Sequence, residues 1–180
     1  SFFMDNGSNL KTVAMVGGEP LLIKENADLL DVIPTNVKIQ VITNFSSDVT
    51  KSKVFEKLCK RRKVSWHISL ENIEDRYEYV RQGSKWQSLI DNLKILGKEV
   101  CNPPENNDHE IQFMSLFHLL NATHLCELKD FTKEAINYFP YKFLQPNPYR
   151  KYIEIVWQDY SAPKELSLDG YGRDVLDKVI

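Results

Sequence analysis

The chain's clearest chemical signal is a pair of glycines directly after an apolar run. Val13-Ala14-Met15-Val16 leads into Gly17-Gly18-Glu19-Pro20. An apolar run ending in glycines reads as a buried strand entering a sharp turn. With no side chains in the way, the backbone at Gly17 and Gly18 can approach a ligand closely and bind an ammonium or a carboxylate. Glu19 adds a fixed carboxylate, and Pro20 suits the first turn of a following helix. Ser69 and Glu71 close another apolar run two residues apart, so their side chains share a face. A Ser–Glu pair can donate to and accept from the hydroxyls of a ribose. Arg81 brings a forked guanidinium that suits a ligand carboxylate. Thr43 and Asn44 follow a third run, where Asn44 either turns the chain or touches the same ligand.

Alternating elements must position these groups. Strands are expected over Val13–Val16, Val37–Ile42, Val64–Leu70 and Ile111–Leu116. Each is short, apolar or β-branched, and bounded by turn residues. Helical patterns fall between them: Lys24–Ile33, ended by Pro34; Ser52–Arg62; and Asp75–Arg81 with Lys85–Leu96, broken near Gly83. Asn102–Asp108 reads as a surface loop. Asn121–Asn137 carries Leu125, Leu128, Phe131 and Ile136 at helical spacing. Tyr141–Leu144 and Tyr152–Trp157 are further strand candidates, separated by Pro146 and Pro148, and Asp174–Ile180 suits a terminal helix. Strands alternating with helices predict βα units and a mainly parallel sheet, either open and doubly wound or part of a barrel. In both cases Gly17-Gly18-Glu19, Thr43-Asn44 and the Ser69–Glu71 pair lie at carboxyl ends of strands, on one rim, where α/β folds hold small ligands.

Composition narrows the function classes. The 180 residues suit one domain, residues 1–180, with a sizeable core. Hydrophobic residues make up 42% and charged residues 27%, ordinary values for a soluble globular protein. A net charge of −2 gives no reason to expect nucleic acid as a partner. No apolar stretch approaches the ~20 residues needed to cross a bilayer, so no membrane partner is expected. No signal-peptide pattern is visible. Cys59, Cys101 and Cys126 are odd in number, far apart and without a CxxC pair, which points to a reducing, cytoplasmic setting. The cluster Lys57, Lys60, Arg61, Arg62 and Lys63 falls at the end of an expected helix. There basic residues complement the helix dipole, so it reads as a solvated helix end, with phosphate binding as the lesser alternative.

The remaining candidates have structural readings. His67 lies mid-strand and reads as a packed or edge histidine. His118 and His124 are six apart with no acidic partner at metal spacing, so no zinc site is expected there. Tyr77, Tyr79 and Trp86 at helical spacing suit a core or an interface. Asn121 is well placed to cap a helix. No Ser-His-Asp arrangement, P-loop or GxGxxG turn is present.

Strand-GGEP, strand-Thr-Asn and strand-Ser-Leu-Glu, in this order, resemble the radical S-adenosylmethionine (radical SAM) superfamily. The stretch Glu78-Tyr79-Val80-Arg81-Gln82-Gly83-Ser84-Lys85-Trp86, then Asn92, is similar to the twitch subgroup. So are Asn121 with its Leu-rich helix and the Pro146–Pro148 segment. The resemblance covers most of the chain and implies a partial, parallel, TIM-like α/β barrel. It implies that Gly17, Gly18, Glu19 and Pro20 receive the methionine amine of S-adenosylmethionine and that Asn44 lies beside the site. Ser69 and Glu71 would contact the ribose, and Arg81 the carboxylate. The family reaction is reductive cleavage of S-adenosylmethionine at a [4Fe–4S] cluster, giving methionine and a 5′-deoxyadenosyl radical that abstracts hydrogen from a small-molecule or peptide substrate.

One departure bears on activity. The family holds its cluster on a CxxxCxxC loop upstream of GGEP, and such clusters need thiolate ligands. None of residues 1–16 is a cysteine. The first βα unit of the family pattern is expected to be missing, which leaves two explanations: a fragment of a longer enzyme, or a relative that has lost the chemistry. The retained cofactor motifs favour the fragment, and this chain alone is expected not to turn over. The alternative is a non-enzymatic α/β module that binds a partner protein or small molecule. An exposed sheet edge left by the missing unit would favour a homodimer.

Overall fold

A computed structural model describes residues 9–101, 108–118, 120–139 and 153–159, the last segment as backbone only. Five strands form one sheet: β1 (Thr12–Met15), β2 (Lys38–Thr43), β3 (Lys63–Ser69), β4 (Asp108–Phe117) and β5 (Ile153–Asp159). They are ordered β1-β2-β3-β4-β5 and every neighbouring pair is parallel. The order never reverses, so the sheet has no switch point of the doubly wound kind. Of the two topologies compatible with the sequence, the structure takes the partial, unclosed parallel α/β barrel.

Between the strands run α1 (Lys24–Val32), α2 (Lys53–Cys59), α3 (Glu74–Val80), α4 (Trp86–Cys101) and α5 (Leu125–Ala135). Right-handed crossovers along a sequentially ordered sheet place such helices on one of its faces. Strand parity follows from that layering. Ile39 and Val41 of β2, Val64, Trp66 and Ile68 of β3, and Ile111 and Phe113 of β4 are buried on the helix side. Register brings Val41, Trp66 and Ile111 side by side. Phe45 and Phe55 pack on Trp66, with ring centroids 6.1 and 5.7 Å away.

The other face is polar. Gln40, Ser65 and Glu110 align across β2, β3 and β4. Lys38 Nζ donates to Glu110 at 2.6 Å, Ser65 Oγ donates to the same carboxylate at 3.3 Å, and His67 Nε2 lies 3.1 Å from Ser65 Oγ. His67 is thus a half-buried member of this polar face. Burial and the nearby Lys38 ammonium push its pKa below the ordinary value.

Local sequence explains the boundaries. Ser52 caps α2 by accepting from Phe55 N at 3.1 Å, and it donates to Leu21 O at 2.5 Å. Helix α4 extends five residues past the expected end at Leu96, to Cys101. Its Gly97 sits so close to the chain at Tyr138 that a Cβ would collide with the Tyr138 carbonyl. The helix expected over 121–137 is split: a 3₁₀ turn (Ala122–His124), then α5, then a second 3₁₀ turn (Ile136–Tyr138). The expected strand Tyr141–Leu144, the Pro146–Pro148 segment and the expected helix Asp174–Ile180 lie outside the described residues. No helix among the described residues is long and apolar enough to cross a membrane.

Candidate functional site

The carboxyl ends of β1 to β4 form a rim, and three of its corners are tied together by side chains from the sequence motifs. At the first corner, Gly17 and Gly18 adopt φ of +86° and +55°, a region that side-chain-bearing residues rarely enter. A Cβ at either glycine would meet nothing within 4 Å, so the turn faces open space. Glu19 anchors the turn. Its Oε1 accepts from Thr43 Oγ1 at 2.6 Å and from Leu21 N at 3.3 Å, and its Oε2 accepts from Asn44 N at 2.9 Å. The carboxylate therefore joins the end of β1 to the end of β2. Pro20 opens a short 3₁₀ turn (Pro20–Leu22), in keeping with its expected place in a first turn, and is buried.

The second corner is the β2 loop. Phe45 is buried at φ +53°, an uncommon conformation for a bulky residue, so its neighbours must hold it there. Its N–H donates to Thr43 Oγ1 at 2.9 Å, and its carbonyl accepts from Asn92 Nδ2 at 2.8 Å. Asn92, buried on α4, also donates to Ser47 O at 2.7 Å. Its amide thus fixes the segment that presents Asn44.

The third corner joins β3 to α3 and β4. Arg81, just past the end of α3, grips Glu71 with two parallel bonds of 2.8 Å, from Nε to Oε2 and from Nη2 to Oε1. Its Nη1 donates to Asn44 Oδ1 at 2.5 Å. Glu71 and Arg81 are thus first of all each other's partners, and Asn44 is their third member. Ser69 ends β3 half-buried, level with Met114 of β4. Asn121 makes no helix-cap bond. Its amide instead spans the rim: Nδ2 donates to Leu116 O at 2.6 Å and Glu71 O at 3.2 Å, and Oδ1 accepts from His118 N at 2.9 Å. The expected N-cap is therefore a cross-link, because the backbone groups of two strand ends are nearer to it than the helix's free N–H groups.

Beside this corner opens a cleft of about 450 Å³, lined by Glu71, Arg81 and Gln82 on one side and by Leu116, His118 and Leu120 on the other. Tyr79 and Val80 complete its edge. Tyr79 is 74% exposed, whereas Tyr77 is fully buried and packs on Trp86, ring centroids 5.5 Å apart. Burial holds His118 below its ordinary pKa, with Glu71 opposing, so the imidazole favours its neutral form. His118 Nδ1 accepts from Leu120 N at 3.1 Å.

The sequence motifs place Thr43 beside Asn44 without showing that it clamps Glu19, and they do not single out His118 as a cleft residue. A hydroxyl at the end of a β-branched strand is the signal for Thr43. His118 carries no pattern that separates it from a core histidine. The role of Asn92 has a visible signal, a lone amide between Ile90 and Leu93 on a buried helix face.

The fold defined by this sheet and rim is a partial, unclosed parallel α/β barrel. Solved structures of SuiB from Streptococcus suis share it. With the S-adenosylmethionine-bound form the TM-score is 0.61 at 18% identity, over 93% of this chain and 33% of that one. SuiB alone gives 0.63 at 15% identity over 99% and 37%, and SuiB bound to the precursor peptide SuiA gives 0.61 at 16% over 93% and 33%. The chain thus spans about a third of the length of the solved structures it matches. No protein-family profile matches the sequence, and no curated protein matches it.

The rim fits one part of the equipment that the sequence resemblance implies and not the other. Two open, positive-φ glycines beside a clamped carboxylate suit the close approach of a small polar ligand. A cluster does not fit the thiols described. Cys59 is buried in α2 with its thiol pushed up to about 12 by burial, and Cys126 is exposed on α5. Among the described residues, no three His, Cys, Asp or Glu side chains converge as a metal site.

Proposed function

We propose that this chain is the cofactor-positioning part of a radical SAM protein of the twitch type, one α/β domain with its cluster cysteines supplied outside these 180 residues. The observation that carries the proposal is the Gly17-Gly18 turn, held open at positive φ while Glu19 fastens it to Thr43 and Asn44. In this reading the backbone of Gly17 and Gly18 receives the amino group of the methionine moiety. Glu19 holds the turn in register, and Pro20 sets the exit of the chain. Ser69 and Glu71 face the ribose. Arg81, aimed by Glu71 and Asn44, offers its remaining N–H groups to the carboxylate. S-adenosylmethionine supplies a sulfonium whose carbon–sulfur bond is the one broken in the family's chemistry. The chain's own part is to bind and orient it. The SuiB complexes support S-adenosylmethionine as the cofactor and a peptide as the substrate class.

Isothermal titration of the 180-residue chain with S-adenosylmethionine tests this, with Gly17→Val as the control. Binding that the substitution abolishes, while circular dichroism shows an intact fold, is the expected result. Equal heats from both proteins would show that the glycine turn holds no cofactor.

A second reading is a non-enzymatic module that pairs with a copy of itself. It rests on the outer position of β1 in the described sheet and on Val16, Leu22 and Ile23 beside it, which are 60, 59 and 39% exposed. A dimer by light scattering, lost on Val16→Asp, supports it. A clean monomer counts against it.

A further inference from the structure

The loop after β2 touches both sides of the rim. Asn44 N–H donates to Glu19 Oε2 at 2.9 Å, on the glycine side. Asn44 Oδ1 accepts from Arg81 Nη1 at 2.5 Å, on the Glu71 side. The place of Asn44 is set by the residue that follows it. Phe45 stands at φ +53° with its ring buried between Phe55 and Trp66, centroids 6.1 Å from each. A bulky residue keeps such a strained backbone only where its surroundings hold it there.

Asn92 supplies much of that hold. It is 3% exposed on α4, among the buried side chains of Leu89, Leu93 and Leu96. Its Nδ2 donates to Phe45 O at 2.8 Å and to Ser47 O at 2.7 Å, and its Oδ1 accepts from Val49 N at 3.5 Å. A side-chain amide has two N–H donors and one carbonyl, held in a plane. Here they engage the backbone of one short stretch, residues 45 to 49. Burying an amide on a leucine-lined helix face is unfavourable unless such bonds are made, so its contribution is the shape of the loop.

Arg81 depends on that shape. Its two bonds to Glu71 fix one edge of the guanidinium, about which the group can still pivot. The bond from Nη1 to Asn44 is a third point, and it stops the pivot. We propose that Asn92, without touching the ligand, is a positioning residue for the amino-acid end of S-adenosylmethionine: it sets the loop, the loop sets Asn44, and Asn44 aims Arg81 at the carboxylate. This inference rests on the cofactor reading above and adds a residue on the buried side of the loop.

The test is isothermal titration of the 180-residue chain with S-adenosylmethionine and with 5′-methylthioadenosine, which keeps the base and ribose but lacks the amino-acid end. The variants are Asn92→Leu, Asn92→Ser, Asn44→Ala and the double variant of Asn92→Ser with Asn44→Ala. Thermal melts show which of them are folded at the titration temperature. Asn92→Ser is the smaller change and carries the test if Asn92→Leu does not fold. Each Asn92 variant is expected to weaken S-adenosylmethionine binding about tenfold, the scale of one hydrogen bond to a charged group. Binding of 5′-methylthioadenosine is expected to change less than twofold, which a merely structural role would not produce. Asn44→Ala is expected to show the same selective loss, and adding Asn92→Ser to it little more, because both act through one contact. Equal losses for the two ligands, additive losses in the double variant, or unchanged affinity in a folded Asn92 variant overturn the inference while the cofactor reading stands. An unsubstituted chain that binds no S-adenosylmethionine overturns both.

Discussion

At the β1 end of the rim, Gly17 and Gly18 stand at positive φ in open space, whereas at the β3 and β4 end buried Glu71 and Asn121 and half-buried Arg81 are bonded together. The first side has room and little to hold it beyond Glu19. The second has almost every polar group committed before any ligand arrives. A site built this way divides its labour. Groups on the crowded side are pre-organised and cost little ordering on binding, while the open side gives the backbone access that a charged amino group needs. It also means that changes on the two sides register in different measurements.

The largest expected effect is on the crowded side. Arg81→Met leaves the Glu71 carboxylate, 11% exposed as a side chain, without its bidentate partner and leaves Asn44 Oδ1 without a donor. Removing one member of a buried pair costs about 3 kcal/mol, read as a lower urea midpoint with an unchanged slope. A loss below 0.5 kcal/mol would mean that the pair is solvent-screened and the crowded side is no more rigid than the open one.

Next come two glycines present for opposite reasons. Gly97→Ala drives a methyl into the Tyr138 carbonyl, with backbone rather than a flexible side chain in the way. Overpacking of this kind is expected to cost about 2 kcal/mol. Gly17→Ala meets no neighbour, so its cost is the φ of +86° alone, about 1 kcal/mol. Thermal melts of the two variants rank them. The reverse order would show that the turn at Gly17 is packed rather than open.

How much of this was legible in the sequence follows from the range of the forces involved. Strand spacing, the Pro34 stop and the Ser52 cap act over a few residues, so β1 to β4 and α1 to α3 fall within a few residues of their expected ends. The sheet order was not legible, because the same βα alternation fits both a doubly wound sheet and a barrel. The rim motifs were visible as residue types at strand ends. Their pairing was not, since Arg81 reaches Glu71 and Asn44 across three different connections. Asn121 and Arg61 show the same limit. Each has a local reading, as an N-cap and as a solvated helix end, and each is claimed by groups distant in sequence.

The smallest effect concerns acid, and it moves the comparison from the rim to the core beneath it. His109 is 1% exposed. Its Nδ1 accepts from Trp66 Nε1–H at 3.1 Å, and its Nε2 lies 2.8 Å from Arg61 O. The indole only donates and the carbonyl only accepts, so the ring is neutral with its proton on Nε2. Burial holds its pKa below the ordinary value, against a smaller upward pull from the Arg61 carbonyl and Asp108. In the unfolded chain the ring takes up a proton as pH falls through about 6.5. The folded state does not follow it, so stability is full above that pH and declines below it. For one histidine held neutral the decline between pH 7 and pH 6 is about 0.7 kcal/mol. His67 and His118, also held below their ordinary values, add to the same slope. Trp66→Phe separates the contributions. It removes the N–H that blocks Nδ1, lets His109 accept a proton in the folded state, and flattens the decline even as the overall stability drops. An unchanged pH slope in that variant would mean that His109 is not held neutral by Trp66, and that the acid sensitivity belongs to His67 on the polar sheet face and His118 at the rim.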